Sequence, residues 1–86
     1  MAKVRIGARD ASRISRLLRA MGTRDSLPRD VRANATYWAA TMRQTMDRRD
    51  LQMVAWLLLD ASSDHDMPAL DRRKARFWAG SLEARL

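Results

Sequence analysis

The feature that most constrains the fold of this chain is an internal repeat that covers most of its length. Shifting the 86-residue sequence by 40 positions aligns residues 9–46 with residues 49–86, and nine of the 38 aligned pairs are identical. Two prolines, Pro28 and Pro68, fall on each other, and each half carries an aromatic-Trp-Ala triplet at the same place. The amphipathicity of helices is enough to align the apolar positions of any two of them, but it does not explain the aligned prolines and the aligned aromatic-Trp-Ala triplets. A fixed period of this length predicts a duplicated supersecondary unit.

Each unit has the pattern of two helices joined by a polar link. The first helix of unit one has an apolar stripe with i, i+3, i+4, i+7 spacing, formed by Ile14, Leu17, Leu18 and Met21. We expect Asp10 and Asp50 to cap the first helix of each unit. Gly22 is expected to end that helix in unit one, as a C-terminal glycine does. In unit two, Ser62 and the polar residues beside it are expected to end the matching helix.

The second helix of each unit is predicted to begin at a proline. Pro28 and Pro68 suit a first helical turn, where a missing N–H costs nothing, and Ser26 and Asp66 are candidate caps. The apolar face of this helix in unit one is predicted to extend to Met46, through Val31, Ala35, Trp38, Ala39 and Met42. Its copy carries Ala75, Trp78, Ala79, Leu82 and Leu86.

These patterns predict an all-α fold, a four-helix domain of two tandem helical hairpins. Hairpin 1 (9–46) and hairpin 2 (49–86) form a single helical domain (9–86) that follows an N-terminal arm (1–8). The link near Asp47 and Arg48 is short, and short links make neighbouring helices antiparallel. Strand-like alternation is confined to Val4 and Ile6 in the arm. Two hairpins are too few for an open solenoid, which favours a closed bundle or a dimer.

The two units differ on the outer face of their first helix. Arg13, Arg16 and Arg19 in unit one are replaced by Met53, Trp56 and Leu59 in unit two. Helix one is therefore a basic amphipathic helix, and helix three is apolar nearly all round. A helix of the second kind is either the central element of its domain or contributes a face to an interface. We expect a homodimer, because helix three is apolar and the core of so short a chain is small.

The net charge of +7 follows the same division. Residues 1–32 hold nine basic and three acidic side chains, whereas residues 33–86 hold eight and seven. This asymmetry predicts an acidic partner at the N-terminal end, although a solvated, solubilising face is the plainer interpretation. Fifteen of the 17 basic residues are arginine, which pairs with carboxylate and phosphate in bidentate fashion. The predicted contact residues are Arg5, Arg9, Arg13, Arg16, Arg19, Arg24 and Tyr37.

The aromatic residues have two expected roles. Trp38, Trp56 and Trp78 lie on apolar faces and are expected in the core. Tyr37 and Phe77 occupy equivalent places away from those faces. Each either packs against the neighbouring hairpin or anchors a partner.

Catalysis, metals, cofactors and membranes have little support in the composition. The chain has no cysteine and one histidine, His65, between Asp64 and Asp66 in a predicted polar turn. A metal site needs three or four ligands, and three isolated glycines do not make a phosphate loop. We therefore expect no enzyme activity, no metal and no cofactor. No apolar run approaches the 18–20 or so residues of a membrane span, and no membrane partner is expected.

The sequence thus favours a small cytoplasmic binding protein that acts as an adaptor, regulator or inhibitor. Its arginine face would dock on an acidic protein or nucleoprotein. The alternative is a DNA- or RNA-binding accessory protein that uses the same stripe. A helix-turn-helix is a poor match, because bulky Leu18 and Pro28 stand at positions of its turn that need other residues. The arginine-rich, lysine-poor composition is typical of GC-rich coding, so a bacterium, phage or plasmid is the expected source.

Overall fold

A computed structural model of the chain describes residues 2–86. Met1, the first residue of the predicted arm, lies outside the described residues. The described part contains four helices and two short strands, in the order β1 (Lys3–Arg5), α1 (Ala8–Gly22), α2 (Arg29–Thr41), β2 (Thr45–Asp47), α3 (Arg48–Ser62) and α4 (Ala69–Glu83). Helix α1 packs on α2, and α3 packs on α4, so the predicted all-α fold of two helical hairpins is confirmed.

The two hairpins share one backbone plan. Helical and turn residues coincide one for one between residues 9–41 and residues 49–81. The same three backbone hydrogen bonds, of 3.1–3.2 Å, hold the turn of each hairpin, and their donors are the amides of Thr23, Arg24 and Leu27 in one turn and of Ser63, Asp64 and Met67 in the other. Leu27 and Met67 are both buried beneath their turns. The repeat in the sequence is therefore a repeat in the structure.

The packing between the hairpins closes the bundle. Helix α1 contacts α4, and α2 contacts α3. Exchanging α1 with α3 and α2 with α4 leaves this set of neighbours unchanged, as an approximate two-fold axis between the hairpins requires. A single core runs through both halves, and its most deeply buried side chains come from equivalent positions, including Ile14 and Leu18 on α1 and Val54 and Leu58 on α3.

The predicted end of the second helix was wrong. Helix α2 stops at Thr41, and the chain is extended at Met42 and enters β2 at Thr45. Strand β2 pairs antiparallel with β1, so that Met46 lies opposite Val4. The amide of Ile6 also donates to the Gln44 carbonyl at 2.8 Å. The arm thus supplies hydrogen-bond partners that hold this segment extended. Among residues 2–86 no strand pairs with the end of α4, which continues to Glu83.

The predicted helix caps were wrong as well. Asp10 and Asp50 lie inside the first turns of α1 and α3, and the residues before the helices, Gly7 and Asp47, make no side-chain cap. Pro28 and Pro68, and not Ser26 or Asp66, hold the N-cap positions of α2 and α4. Acidic residues in a first turn still favour the helix, through its dipole.

Two glycines have different functions at the two ends of α1. Gly7 has φ +88° and ψ 159°, a region that residues with a side chain rarely adopt, and it turns the chain from β1 into α1. Gly22 is the last residue of α1, as predicted, but its φ is not positive. Helix α2 passes so close there that a Cβ on Gly22 would meet the Thr36 hydroxyl. Gly22 is therefore explained by the lack of space for a side chain and not by its backbone conformation.

Candidate partner-binding site

The arginines of α1 lie on its solvent side. Five buried apolar residues face the core: Ala11, Ile14, Leu17, Leu18 and Met21. Opposite them the four predicted arginines are exposed, and we call this set the arginine face: Arg9, Arg13, Arg16 and Arg19. Arg19 is ten positions after Arg9, so the face extends about 15 Å along the helix at 1.5 Å per residue.

No acidic group among residues 2–86 forms an ion pair with the arginine face. The ion pairs in this part of the chain join Lys3 to Asp47, Arg32 to Asp25 and Arg85 to Asp10. Asp10, the one acidic residue of α1, is therefore engaged with Arg85, at 2.6 Å, and not with an arginine of the face. Charges left without partners on a protein surface attract ligands of opposite sign.

A groove between α1 and α4 adjoins this face. It encloses about 400 Å³ and is lined by Arg13, Arg16, Leu17, Ala20, Asp71, Lys74 and Trp78. Two arginines and a lysine thus border a groove that also contains one carboxylate and a half-buried indole. Such a groove can accept an acidic side chain together with an apolar neighbour.

Lys74 and Trp78 were missed as site residues by the sequence analysis. Both come from α4, at the opposite end of the chain from the arginines, and only the packing of α1 on α4 brings them together. The signal in the sequence was weak: Lys74 is one of two lysines, and it precedes Trp78 by one helical turn. Repeat analysis alone does not indicate which helices become neighbours.

The other predicted contact residues lie elsewhere. Arg5 is exposed in β1, which precedes α1, so it does not lie on the helix that carries the other arginines. Arg24 is half-buried in the turn of hairpin 1, and its Nε is buried without a hydrogen-bond partner in the described part of the chain. Neither residue lines the groove. The structure therefore brings together the four arginines of α1 and leaves Arg5 and Arg24 outside that set.

Tyr37 is 59% exposed on α2, and its ring stands edge-on to Trp38 at 4.9 Å between centroids. Phe77 and Trp78 repeat this pair at 5.0 Å, with Phe77 64% exposed. These exposures do not fit packing against the neighbouring hairpin. The rings of Tyr37 and Phe77 instead lie on the surface, and each contacts the tryptophan that follows it in the sequence.

One of the three predicted core tryptophans is on the surface. Trp38 is buried and Trp78 is half-buried, but Trp56 is 58% exposed on the outer side of α3. Its place in the repeat is that of Arg16, which is exposed as well. The prediction was wrong because the middle of α3, from Leu51 to Leu59, is apolar nearly all round, so that its periodicity does not indicate which side is covered.

His65 lies in an exposed turn. The turn is held by a hydrogen bond from the Asp66 amide to the Asp64 carboxylate at 2.9 Å, so that Asp64 acts within its own loop. No group of three or more potential metal ligands occurs among residues 2–86. None of the helices described there is both long enough and apolar enough to cross a lipid bilayer.

Comparison with known proteins gives no match. No family model fits the chain, and neither a curated protein nor a solved structure is significantly similar to it.

Proposed function

We propose that this chain is a small, non-enzymatic binding protein that docks the arginine face of α1 on an acidic surface of a larger protein or nucleoprotein. In this way it acts as an adaptor, regulator or inhibitor. The observation that carries the proposal is that the face is exposed and has no carboxylate within 4.0 Å among residues 2–86. Guanidinium groups form bidentate hydrogen bonds with carboxylates, and arginine is frequent among the residues that dominate binding energy.

The groove between α1 and α4 favours a protein as the acidic partner. Asp71 lies among the lining residues. Its carboxylate repels phosphate and carboxylate groups alike, but it accepts hydrogen bonds from backbone N–H groups, which a polypeptide has and a phosphate backbone lacks. Trp78 is half-buried at the same place and offers apolar surface beside the charges. A segment with acidic and apolar side chains fits this combination better than phosphates alone do.

A DNA- or RNA-binding accessory protein is the second candidate function. The observation in its favour is the linear arrangement of the arginine face, four cations within about 15 Å of helix. Phosphates of one strand of a duplex recur about every 3.4 Å along its axis, so the face spans several of them. Binding of this kind falls steeply with salt concentration, because counterions are released from the nucleic acid.

The test compares two variants of equal charge. Arg13→Gln/Arg16→Gln removes two cations from the arginine face, and Arg73→Gln/Arg76→Gln removes two exposed cations of α4 that do not line the groove. Glutamine has nearly the helix propensity of arginine, so both variants should fold like the parent. Proteins captured from nuclease-treated lysate should be lost with the first variant and retained with the control. Poly-glutamate should bind the first variant about tenfold more weakly than it binds the control.

The same variants distinguish the two functions from a solvated face. Gel shifts with random duplex and single strands, at about 50 mM and about 150 mM salt, test nucleic acid directly. Binding at the higher salt that Arg13→Gln/Arg16→Gln weakens would support the second candidate. Equal behaviour of the two variants in every assay would show that the face only solubilises the chain, and the proposal would be wrong.

A further inference from the structure

The outer side of α3 carries an exposed apolar patch. Met53 is 47% exposed, Trp56 58% and Leu59 45%, and we call these three residues the α3 patch. They are spaced three residues apart, so they lie along one side of the helix with Trp56 in the middle. Contiguous apolar surface rimmed by polar residues marks an interaction site.

The fold itself does not require the α3 patch to be apolar. The equivalent positions of α1 are Arg13, Arg16 and Arg19, and they are exposed in the same way. One backbone plan therefore accepts arginine or large apolar side chains at these positions. The choice on α3 must serve something outside the chain, since solubility alone would favour the polar choice.

Charges at the two ends of this side are ordered in an unusual way. Arg49 lies in the first turn of α3 and Asp60 in the last, and both are exposed. The dipole of the helix disfavours a cation at the N-terminus and an anion at the C-terminus, so the helix alone does not explain either residue. Read from one end to the other, the side is positive, then apolar, then negative.

This order is complementary to itself when two helices run antiparallel. Arg49 is seven residues before Trp56, and Asp60 is four residues after it. If two copies of α3 cross at Trp56, Arg49 of one copy lies about three residues, or about 4.5 Å, along the axis from Asp60 of the other. That offset is within reach of an arginine side chain, and both residues lie on the same flank of the contact.

From this arrangement we propose that the chain forms a homodimer in which α3 packs antiparallel on α3 of a second copy. A two-fold axis passes near Trp56, so that the two indole rings pack together, with Met53 and Leu59 of both copies around them. Arg49 of each copy pairs with Asp60 of the other. A two-fold interface requires a surface that complements itself, and the order of charges on α3 meets that requirement. A different partner would impose no such symmetry on one helix.

The proposed dimer leaves the arginine faces free. Helix α1 makes its principal contacts with α2 and α4 and not with α3. The interface on α3 and the arginine face on α1 are therefore separate surfaces. A dimer would present two arginine faces, and the two surfaces can be tested independently of each other.

Sedimentation equilibrium on the full chain, from about 1 to about 200 μM, tests the proposal. We expect the mass to rise from 9.9 kDa to twice that value with a dissociation constant in the micromolar range, as suits an interface of one helix per subunit. Trp56→Arg places the residue of the equivalent α1 position in the patch and should weaken dimerisation at least about 100-fold. Phe77→Arg, at an equally exposed aromatic on α4, is the matched control and should leave the dimer intact.

Exchange of the charges tests the antiparallel register. Arg49→Asp and Asp60→Arg should each weaken the dimer about tenfold, because each places like charges together at two symmetric contacts. The double variant should recover most of the parent affinity. Circular dichroism melts establish that each variant is folded.

Three results would overturn the proposal. A parent chain that stays at 9.9 kDa throughout the concentration range has no dimer, and the α3 patch then belongs to a different partner. A double variant no better than the singles contradicts the register, and equal losses from Trp56→Arg and Phe77→Arg contradict the surface. Arg13→Gln/Arg16→Gln should dimerise normally, so a failure here is distinct from a failure of the proposed function.

Discussion

The outer faces of α1 and α3 occupy the same place in two hairpins that share one backbone plan, yet one is cationic and the other apolar. Arg16 and Trp56 stand at equivalent positions and are both exposed. The buried sides of the two helices, by contrast, keep the same character, with Leu18 and Leu58 fully buried in both. Packing thus determines the inner sides of these hairpins and leaves the outer sides free to differ. The outer sides, where the two copies differ, are therefore the surfaces that we propose for partners.

The largest expected effect is the difference in stability between replacing a buried tryptophan and replacing an exposed one. Trp38→Ala should lower the free energy of unfolding by about 3–5 kcal/mol, because Trp38 is 8% exposed and its removal leaves a cavity. Trp56→Ala should change it by less than about 0.5 kcal/mol at concentrations where the chain is monomeric. Urea unfolding followed by circular dichroism measures both. Similar losses for the two variants would mean that the inner and outer sides are wrongly assigned.

The next largest effect concerns the residue that precedes the first helix of each hairpin. Gly7 and Asp47 should differ in how much stability a substitution costs. Gly7→Asp places in hairpin 1 the residue that precedes α3, at a backbone conformation nearly restricted to glycine, and should cost about 1–3 kcal/mol. The reverse change, Asp47→Gly, should cost less, because Asp47 has an ordinary extended conformation and only a surface ion pair with Lys3. Thermal melts of the two variants compare the costs. A larger loss for Asp47→Gly would contradict this account of the turn.

A third pair of variants tests the contact between the two ends of the chain. Asp10 and Asp50 are equivalent first-turn residues, but Asp10 also accepts a hydrogen bond from Arg85 at 2.6 Å. Asp10→Ala should therefore cost about 1–2 kcal/mol more than Asp50→Ala, since both lose the interaction with the helix dipole and only the first breaks a charge-assisted bond. Urea midpoints at matched slope give the difference. Equal costs would indicate that the Asp10–Arg85 pair adds nothing to stability.

The smallest expected effect concerns one hydrogen bond inside hairpin 1, and it tests whether the interiors of the two hairpins have the same geometry. The Ser15 hydroxyl donates to the Ala39 carbonyl at 2.7 Å, and the equivalent residues in hairpin 2 are Ala55 and Ala79. Ser15→Ala should cost no more than about 1 kcal/mol. Ala55→Ser should be about as mild, because its hydroxyl meets the Ala79 carbonyl if the two interiors have one geometry. A loss of several kcal/mol for Ala55→Ser would show that they differ.

Local patterns predicted the helices and the hairpins, because an apolar stripe, a proline at the start of a helix and a polar turn are all properties of neighbouring residues. The second helix was predicted too long, because the arm that holds Thr45–Asp47 extended lies far from that segment in the sequence. Trp56 was assigned to the core, because an all-round apolar helix gives no indication of its covered side. Lys74 and Trp78 were missed for a related reason: they join the arginines only through the packing of α1 on α4.

The backbone plan that the two hairpins share has a consequence for how such a molecule can diversify. Two separate copies of one hairpin, assembled as a symmetric pair, would display every change of an outer residue twice. Joined in tandem, each half can change alone while the shared interior remains matched. In a covalently linked pair the two outer faces need not be the same, so a single small chain can carry an apolar face and a cationic face at once.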